Sequence, residues 1–162
     1  MLDANTFLHV VSATPLVAID LVLLRAPGEV LLGLRNNRPA QGFWFVPGGR
    51  IRKNETIRAA MARITAAELG LPLADLPGAP RPIGHFEHFY PDSFAGSAEE
   101  IGVSTHYVVL AYALTVPADF QVPHADSQHA ELRWWSLHEA RTAAAVHPLS
   151  QAYLAAERLA CA

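Results

Sequence analysis

The chain has 162 residues, 51% of them hydrophobic and 17% charged, which is enough to bury one substantial core and predicts a single domain over residues 1–162. A formal charge of −3 argues against general nucleic-acid binding. One cysteine, Cys161, excludes an intrachain disulfide framework; with no basic-then-apolar leader and no membrane-length apolar run, the expected setting is cytoplasmic, away from membranes.

Residues 1–14 are weakly patterned and predict at most a short helix, with Leu2 and Phe7 as packing or dimer-contact residues. Pro15 to Leu24 reads as a buried strand carrying one charge, Asp20. A buried aspartate needs a partner or a job, and a hydrogen bond to backbone is the plain alternative. Ala26-Pro27-Gly28 predicts a turn, and Glu29 to Leu34 a returning strand. A polar loop, Arg35 to Pro39, leads into the stretch Gln41 to Leu71, around which the chain is organised.

That stretch opens with the aromatic run Phe43-Trp44-Phe45-Val46, a short buried strand. Pro47-Gly48-Gly49 ends it, and paired glycines let backbone carbonyls approach a ligand. Asn54 or Thr56 can cap a helix starting near Thr56, built from Ala59, Ala60, Met61, Ala62, Ala66, Ala67 and Leu69 and stopped by Gly70. Glu68 falls in its last turn, where the helix dipole disfavours a carboxylate by roughly 0.3–1 kcal/mol. Solvent exposure would tolerate that, and a hard divalent cation would reverse it. Seven of the twelve basic residues (Arg35, Arg38, Arg50, Arg52, Lys53, Arg58 and Arg63) lie between positions 35 and 63. They suit a small polyanion such as a diphosphate, or simply form a solvated face.

Residues 72–82 read as a proline-rich connector. Ile83 to Tyr90 alternates as a strand, with Phe86, His88 and Tyr90 on one face and His85, Glu87 and Phe89 on the other. A loop over 91–103 follows, then the longest strand, Ser104 to Val116, placing Tyr107 with Val109 and Ala111. Another loop holds Asp126, Gln128 and His129. A strand over Glu131 to Ser136 and helices over Leu137–Ala145 and Leu149–Leu159 complete the chain. Strands and helices mix without regular βαβ alternation, so an α/β fold with a mixed sheet between helices is expected.

Gly49, Glu55, Arg63 and Glu68-Leu69-Gly70-Leu71, at these spacings, resemble the Nudix box, the signature of hydrolases acting on nucleoside diphosphates linked to another group. The resemblance implies the Nudix α/β/α sandwich. Ile64 and Ala67 stand where the box places two further carboxylates, and helical spacing sets Ile64, Ala67 and Glu68 on one face. With TPLVAID, LLGLRNNRPAQGFWFVPGGR, HFYPDSF, THYVVL and DSQHAELRW, the chain resembles over nearly its full length an atypical Nudix group, the GDP-mannose mannosyl hydrolases. Those enzymes show the same losses and cut the bond between sugar C1 and the β-phosphate oxygen.

For this chain the resemblance implies one Mg²⁺ per subunit, with Mn²⁺ a possible substitute, held by the Gly48 carbonyl, Glu68 and Gln128. It implies His129 as the base that activates water for inverting attack at C1. Arg35, Arg50, Tyr107 and His88 would bind the diphosphate of a GDP-sugar and assist its departure, and Asp20 would support developing positive charge at the sugar. Arg63 would pair with Glu55 and orient the loop, while Leu2 and Phe7 would pack on the guanine, across a homodimer. Each residue also has a plain reading: Gln128 as a loop amide, and His129 as one of eight histidines, most of them structural. The competing functions are a Nudix pyrophosphatase releasing a nucleoside monophosphate and a sugar 1-phosphate, and a silent nucleotide-binding domain.

Overall fold

The computed structural model describes residues 2–70, 72–121, 129–155 and 159. The chain enters through helix α1 (Ala4–Ala13), whose N-cap Asp3 accepts from Thr6 N–H. Strands β1 (Leu16–Arg25) and β2 (Glu29–Arg35) follow, then the short β3 (Trp44–Phe45) and β4 (Gly48–Arg50). Helix α2 (Ile57–Leu69) starts where local chemistry directs: Thr56 accepts from Ala59 N–H, and Gly70 ends the helix in the left-handed region at φ 60°. Beyond a 3-10 turn, Leu73–Asp75, come β5 (Arg81–Tyr90) and a small hairpin of β6 (Asp92–Ser93) and β7 (Gly96–Ser97). Then follow α3 (Ala98–Ile101), β8 (Thr105–Thr115), β9 (His129–Ser136), α4 (Leu137–Ala140) and α5 (Pro148–Tyr153).

Four expectations change. The helix expected over Leu137–Ala145 stops after Ala140, and within the helix expected over Leu149–Leu159, α5 ends at Tyr153. The strand expected from Glu131 already begins at His129, and the 91–103 loop contains the β6–β7 hairpin and α3. Arg38 ties that segment down, 3.5 Å from Glu100 and 4.0 Å from Asp92, and Ser97 and Glu100 cap each other's N–H groups.

One mixed sheet runs β3-β2-β1-β8-β5, with β4 added to β1 and β9 to β2. β1 and β8 are parallel and the other pairs antiparallel. Alternation along β1 sends Ile19, Leu21 and Leu23 to one face, against Met61 and Ile64 of α2. Ala18, Asp20 and Val22 go to the other, in the cluster of Ala140, Val146, Tyr153 and Leu154. Helices on both faces bury nearly the whole of β1, which explains its run of apolar residues. Asp20 is the exception in that run. Among the described residues no helix is long and apolar enough to cross a membrane.

The C-terminal segment closes on the aromatic strand. Trp44 N–H donates to Ala145 O at 2.9 Å, His147 N–H to Trp44 O at 3.0 Å, and Val46 N–H to the buried Ser150 Oγ at 3.1 Å. Residues 145–150 therefore hold β3 and Val46, two residues before Gly48 opens β4.

Candidate active site

The resemblance-based residues divide into two groups on either side of β4. On the α2 face, Glu68 is buried and its Oε2 lies 3.5 Å from Nδ1 of His129. His129 opens β9, and simple alternation from Leu132 and Trp134, which pack toward α2, would send it to the opposite face. A bulge reverses this. Leu34 pairs with Glu131 but Arg35 with His129, so β9 carries an extra residue that re-aims the imidazole at Glu68.

His129 is only 2% exposed. Its ring lies over Gly33 of β2, where an added Cβ would collide with Cδ2 and come within 2.8 Å of Cγ. Gly33→Ala is expected to destabilise the fold by about 1–3 kcal/mol, as overpacking does, and to unseat the ring. Unfolding midpoints in urea test this, and an unchanged midpoint would mean that the ring does not sit there. On α2 the expected common face divides: Ile64 and Glu68 turn inward, whereas Ala67 is exposed. The 100° step per residue swings position 67 outward, past the edge of the buried stripe.

Gly48 and Gly49 join the two groups. A Cβ on Gly49 would press on Ile64 of α2, one turn before Glu68, and a Cβ on Gly48 would collide with Asp20 Oδ1. Gly48 needs to be glycine because β1 lies so close, with the Ile19 carbonyl oxygen 2.7 Å from an added Cβ, whereas at Gly49 the Ile64 side chain would have to give way. Asp20 pairs with Gly48 on one side and Ala111 on the other, small neighbours that leave room beside its carboxylate. Asp20 is 8% exposed, and burial raises its pKa to about 6 even though the Tyr153 hydroxyl and Arg35 pull it down.

On this face Tyr153 Oη lies 2.7 Å from Asp20 Oδ2 and 2.8 Å from His88 Nε2, and Tyr90 Oη lies 3.5 Å from His88 Nδ1. His88 is 2% exposed, and burial, with His147 nearby, lowers its pKa to about 4. Its expected role as a diphosphate donor meets a physical obstacle, since Tyr153 already takes up Nε2. Tyr107 pairs with His88 across β5 and β8 and meets Tyr90 edge-on at 6.2 Å; burial raises its pKa, and Arg50 and Arg35 oppose that rise. Tyr90, His147 and Tyr153 were not among the expected residues. Strand alternation set Tyr90 on the His88 face, while for His147 and Tyr153 no local pattern pointed to the site.

The basic residues frame this face. Arg35 donates from Nε to Pro39 O at 2.9 Å, and its guanidinium lies 6.0 Å from the Phe45 ring. The guanidinium of Arg50 lies 3.8 Å from the centre of Phe7, whose ring meets Phe94 at 4.9 Å with a 30° tilt. Phe7 therefore covers an arginine of its own chain, while Leu2 stays 58% exposed. Arg63 donates from Nε to Glu55 Oε1 at 2.8 Å and from Nη2 to Glu55 Oε2 at 2.9 Å, and Nη2 also reaches Arg50 O at 2.8 Å. Glu55 in turn accepts from Arg52 N–H, and these bonds, Arg63's first, lower its pKa to about 2. The Arg50–Glu55 loop is thereby fixed to α2. Gln128 and Asp126 lie outside the described residues.

A hard divalent cation fits the oxygen donors present. Glu68 is a buried carboxylate at the negative end of a helix with no basic residue in its last turn, so a nearby cation would offset an unfavourable placement. Among the described residues no three His, Cys, Asp or Glu side chains converge, so a site here relies on backbone or amide oxygens for its other ligands.

Comparison with known proteins places these residues in context. The model of the NUDIX domain matches residues 14–156. The low-salt glycan biosynthesis protein Agl8 of Haloferax volcanii is 42% identical over 124 residues, 76% of this chain and 72% of that protein. A putative 8-oxo-dGTP diphosphatase 2 of Mycobacterium tuberculosis is 47% identical over 51 residues, 30% of this chain and 36% of that protein. Among solved structures, the MutT protein of Methanosarcina mazei Go1 superposes with a TM-score of 0.67 at 19% identity, covering 92% of this chain and 96% of that one.

Proposed function

The chain belongs to the Nudix family, and from that premise we propose that it hydrolyses a GDP-sugar, GDP-mannose or GDP-glucose, by attack of water at sugar C1, releasing GDP and the free hexose with inversion. The observation carrying this reading is the buried contact between Glu68 and His129, 3.5 Å apart, on a signature helix whose other acidic places hold Ile64 and Ala67. A helix that keeps one carboxylate and acquires a histidine partner is poorly equipped for attack at phosphorus. Similarity to a protein named for glycan biosynthesis supports a sugar-bearing substrate.

In this reading Glu68, the Gly48 carbonyl and Gln128 would hold one Mg²⁺ per subunit, with Mn²⁺ as substitute. When bound, the ion would neutralise charge growing on the departing diphosphate. Arg35 and Arg50 would hydrogen-bond the same oxygens in pairs, and Tyr107 would add a further donor. Asp20 would face the sugar and support positive charge at C1. His129 would take the proton from water, which requires the ring to tilt away from Gly33 as substrate enters. Phe7 and Leu2 would offer apolar surface to the guanine, in a homodimer.

Hydrolysis of GDP-mannose with Mg²⁺ in ¹⁸O-labelled water tests the proposal. Label in free mannose is the expected result. Label in a phosphate would replace it with the pyrophosphatase reading, which the match to the putative diphosphatase favours. No turnover of either GDP-sugar would leave a nucleotide-binding domain.

A further inference from the structure

The buried polar chain behind Asp20 has a direction, and that direction assigns a task to the closing helix. A phenol hydroxyl holds one hydrogen and accepts others. Tyr153 Oη meets Asp20 Oδ2 at 2.7 Å and His88 Nε2 at 2.8 Å, and all three residues are buried. An ionised carboxylate only accepts, so the Tyr153 hydrogen goes to Asp20. The other contact then forms only if His88 donates from Nε2, which leaves Nδ1 bare. Nδ1 faces the Tyr90 hydroxyl at 3.5 Å, which can supply a hydrogen. Donation thus runs one way, from Tyr90 to His88 to Tyr153 to Asp20. A neutral His88 ring suits this order, and burial favours that form.

We propose that Tyr153 is a positioning residue of the active site, whose hydroxyl selects the Nε2–H tautomer of His88 and turns Asp20 so that Oδ1 faces the Gly48 backbone. Asp20 Oδ1 is the oxygen that a Cβ on Gly48 would strike, so it lies against β4 and away from Tyr153. Ser150, one turn earlier on α5, accepts from Val46 N–H, two residues before Gly48. One helix face therefore holds both the signature loop and the carboxylate beside it. His88 becomes a link between two tyrosines and Asp20 rather than a donor to the substrate. The proposal rests on the reading of the Asp20–Gly48 region as the reaction site, but not on which bond is cut.

Tyr153→Phe keeps the ring and removes only the hydroxyl. In the full chain labelled with ¹⁵N-histidine and without substrate, imidazole NMR should show His88 protonated at Nε2, and the variant should lose that bias. Turnover of the GDP-sugar should fall by about 10–100-fold in kcat with little change in KM, the usual scale for losing a residue that orients another. The unfolding temperature should fall by several degrees, because Asp20 Oδ2 and His88 Nε2–H each lose a buried partner, so rates are compared well below it. His88→Gln, whose amide can donate to Tyr153, should retain more kcat than His88→Leu. A wild-type His88 protonated at Nδ1 would overturn the proposal, as would a Tyr153→Phe protein with unchanged tautomer and kcat. Should Tyr153→Phe fail to fold, the wild-type tautomer and the His88 pair still decide. The NMR arm needs no turnover, so its failure is distinguishable from a wrong substrate.

Discussion

His129→Ala is expected to lower kcat for GDP-mannose hydrolysis by about 10²–10⁴-fold, the usual contribution of a positioned general base. The expectation follows from placement: the ring is 2% exposed, and its Nδ1 sits 3.5 Å from Glu68. A carboxylate beside an imidazole orients the ring and can stabilise its protonated form once it has taken a proton. Truncation also leaves a hole beside Gly33, so stability must be followed alongside rate. Rates should therefore be compared well below the variant's unfolding temperature. Glu68→Gln should act differently, raising the Mg²⁺ concentration needed for half-maximal activity. If His129→Ala keeps near-normal kcat, the base lies elsewhere. If Glu68→Gln leaves the metal dependence untouched, Glu68 is not a ligand.

Asp20→Asn should make the protein more stable at neutral pH while abolishing most activity. Burial raises the Asp20 pKa from 3.8 to about 6, so the folded state holds this proton more tightly than the unfolded chain. Between those values the native protein binds more protons, and stability falls as pH rises through the window. Above about pH 6 the whole penalty of a buried ionised carboxylate is present. A shift of this size, already net of the opposing pull of Tyr153 and Arg35, corresponds to about 3 kcal/mol, which is the upper bound of the expected gain. Asparagine keeps an oxygen to accept from Tyr153 and carries no charge. Urea unfolding of both proteins from pH 3.5 to 8 checks this. The curves should converge near pH 4 and separate as pH rises, and parallel curves would show that Asp20 is not strained by burial. A carboxylate kept at such a cost fits a group retained for chemistry.

Local chemistry made much of the framework legible in the residues alone. The cap at Thr56 and the stop at Gly70 depend on neighbours within a few positions, and both bound α2. Alternation in Phe86, His88 and Tyr90 against His85, Glu87 and Phe89 set the faces of β5, because a pleat has period two. The signature spacing pointed to Gly49, Glu68 and the Glu55–Arg63 pair, since its residues sit on one short stretch of chain and one helix. It could not orient Ala67, because helical spacing alone does not show where the buried stripe ends.

Contacts between distant segments were decided only in three dimensions. Tyr153 reaches Asp20 across 133 positions and Ser150 reaches Val46 across 104, separations over which no periodicity carries information. The bulge opposite Leu34 and Arg35 is one extra residue in a ladder, yet it sends His129 to Glu68 rather than to the other face. By itself the sequence determined the Nudix signature and most of the elements that carry it, and it nominated the side chains proposed for the chemistry. Which of those side chains touch was left to the sheet, because register and helix docking are set by the packing of the whole core and not by any local run of residues.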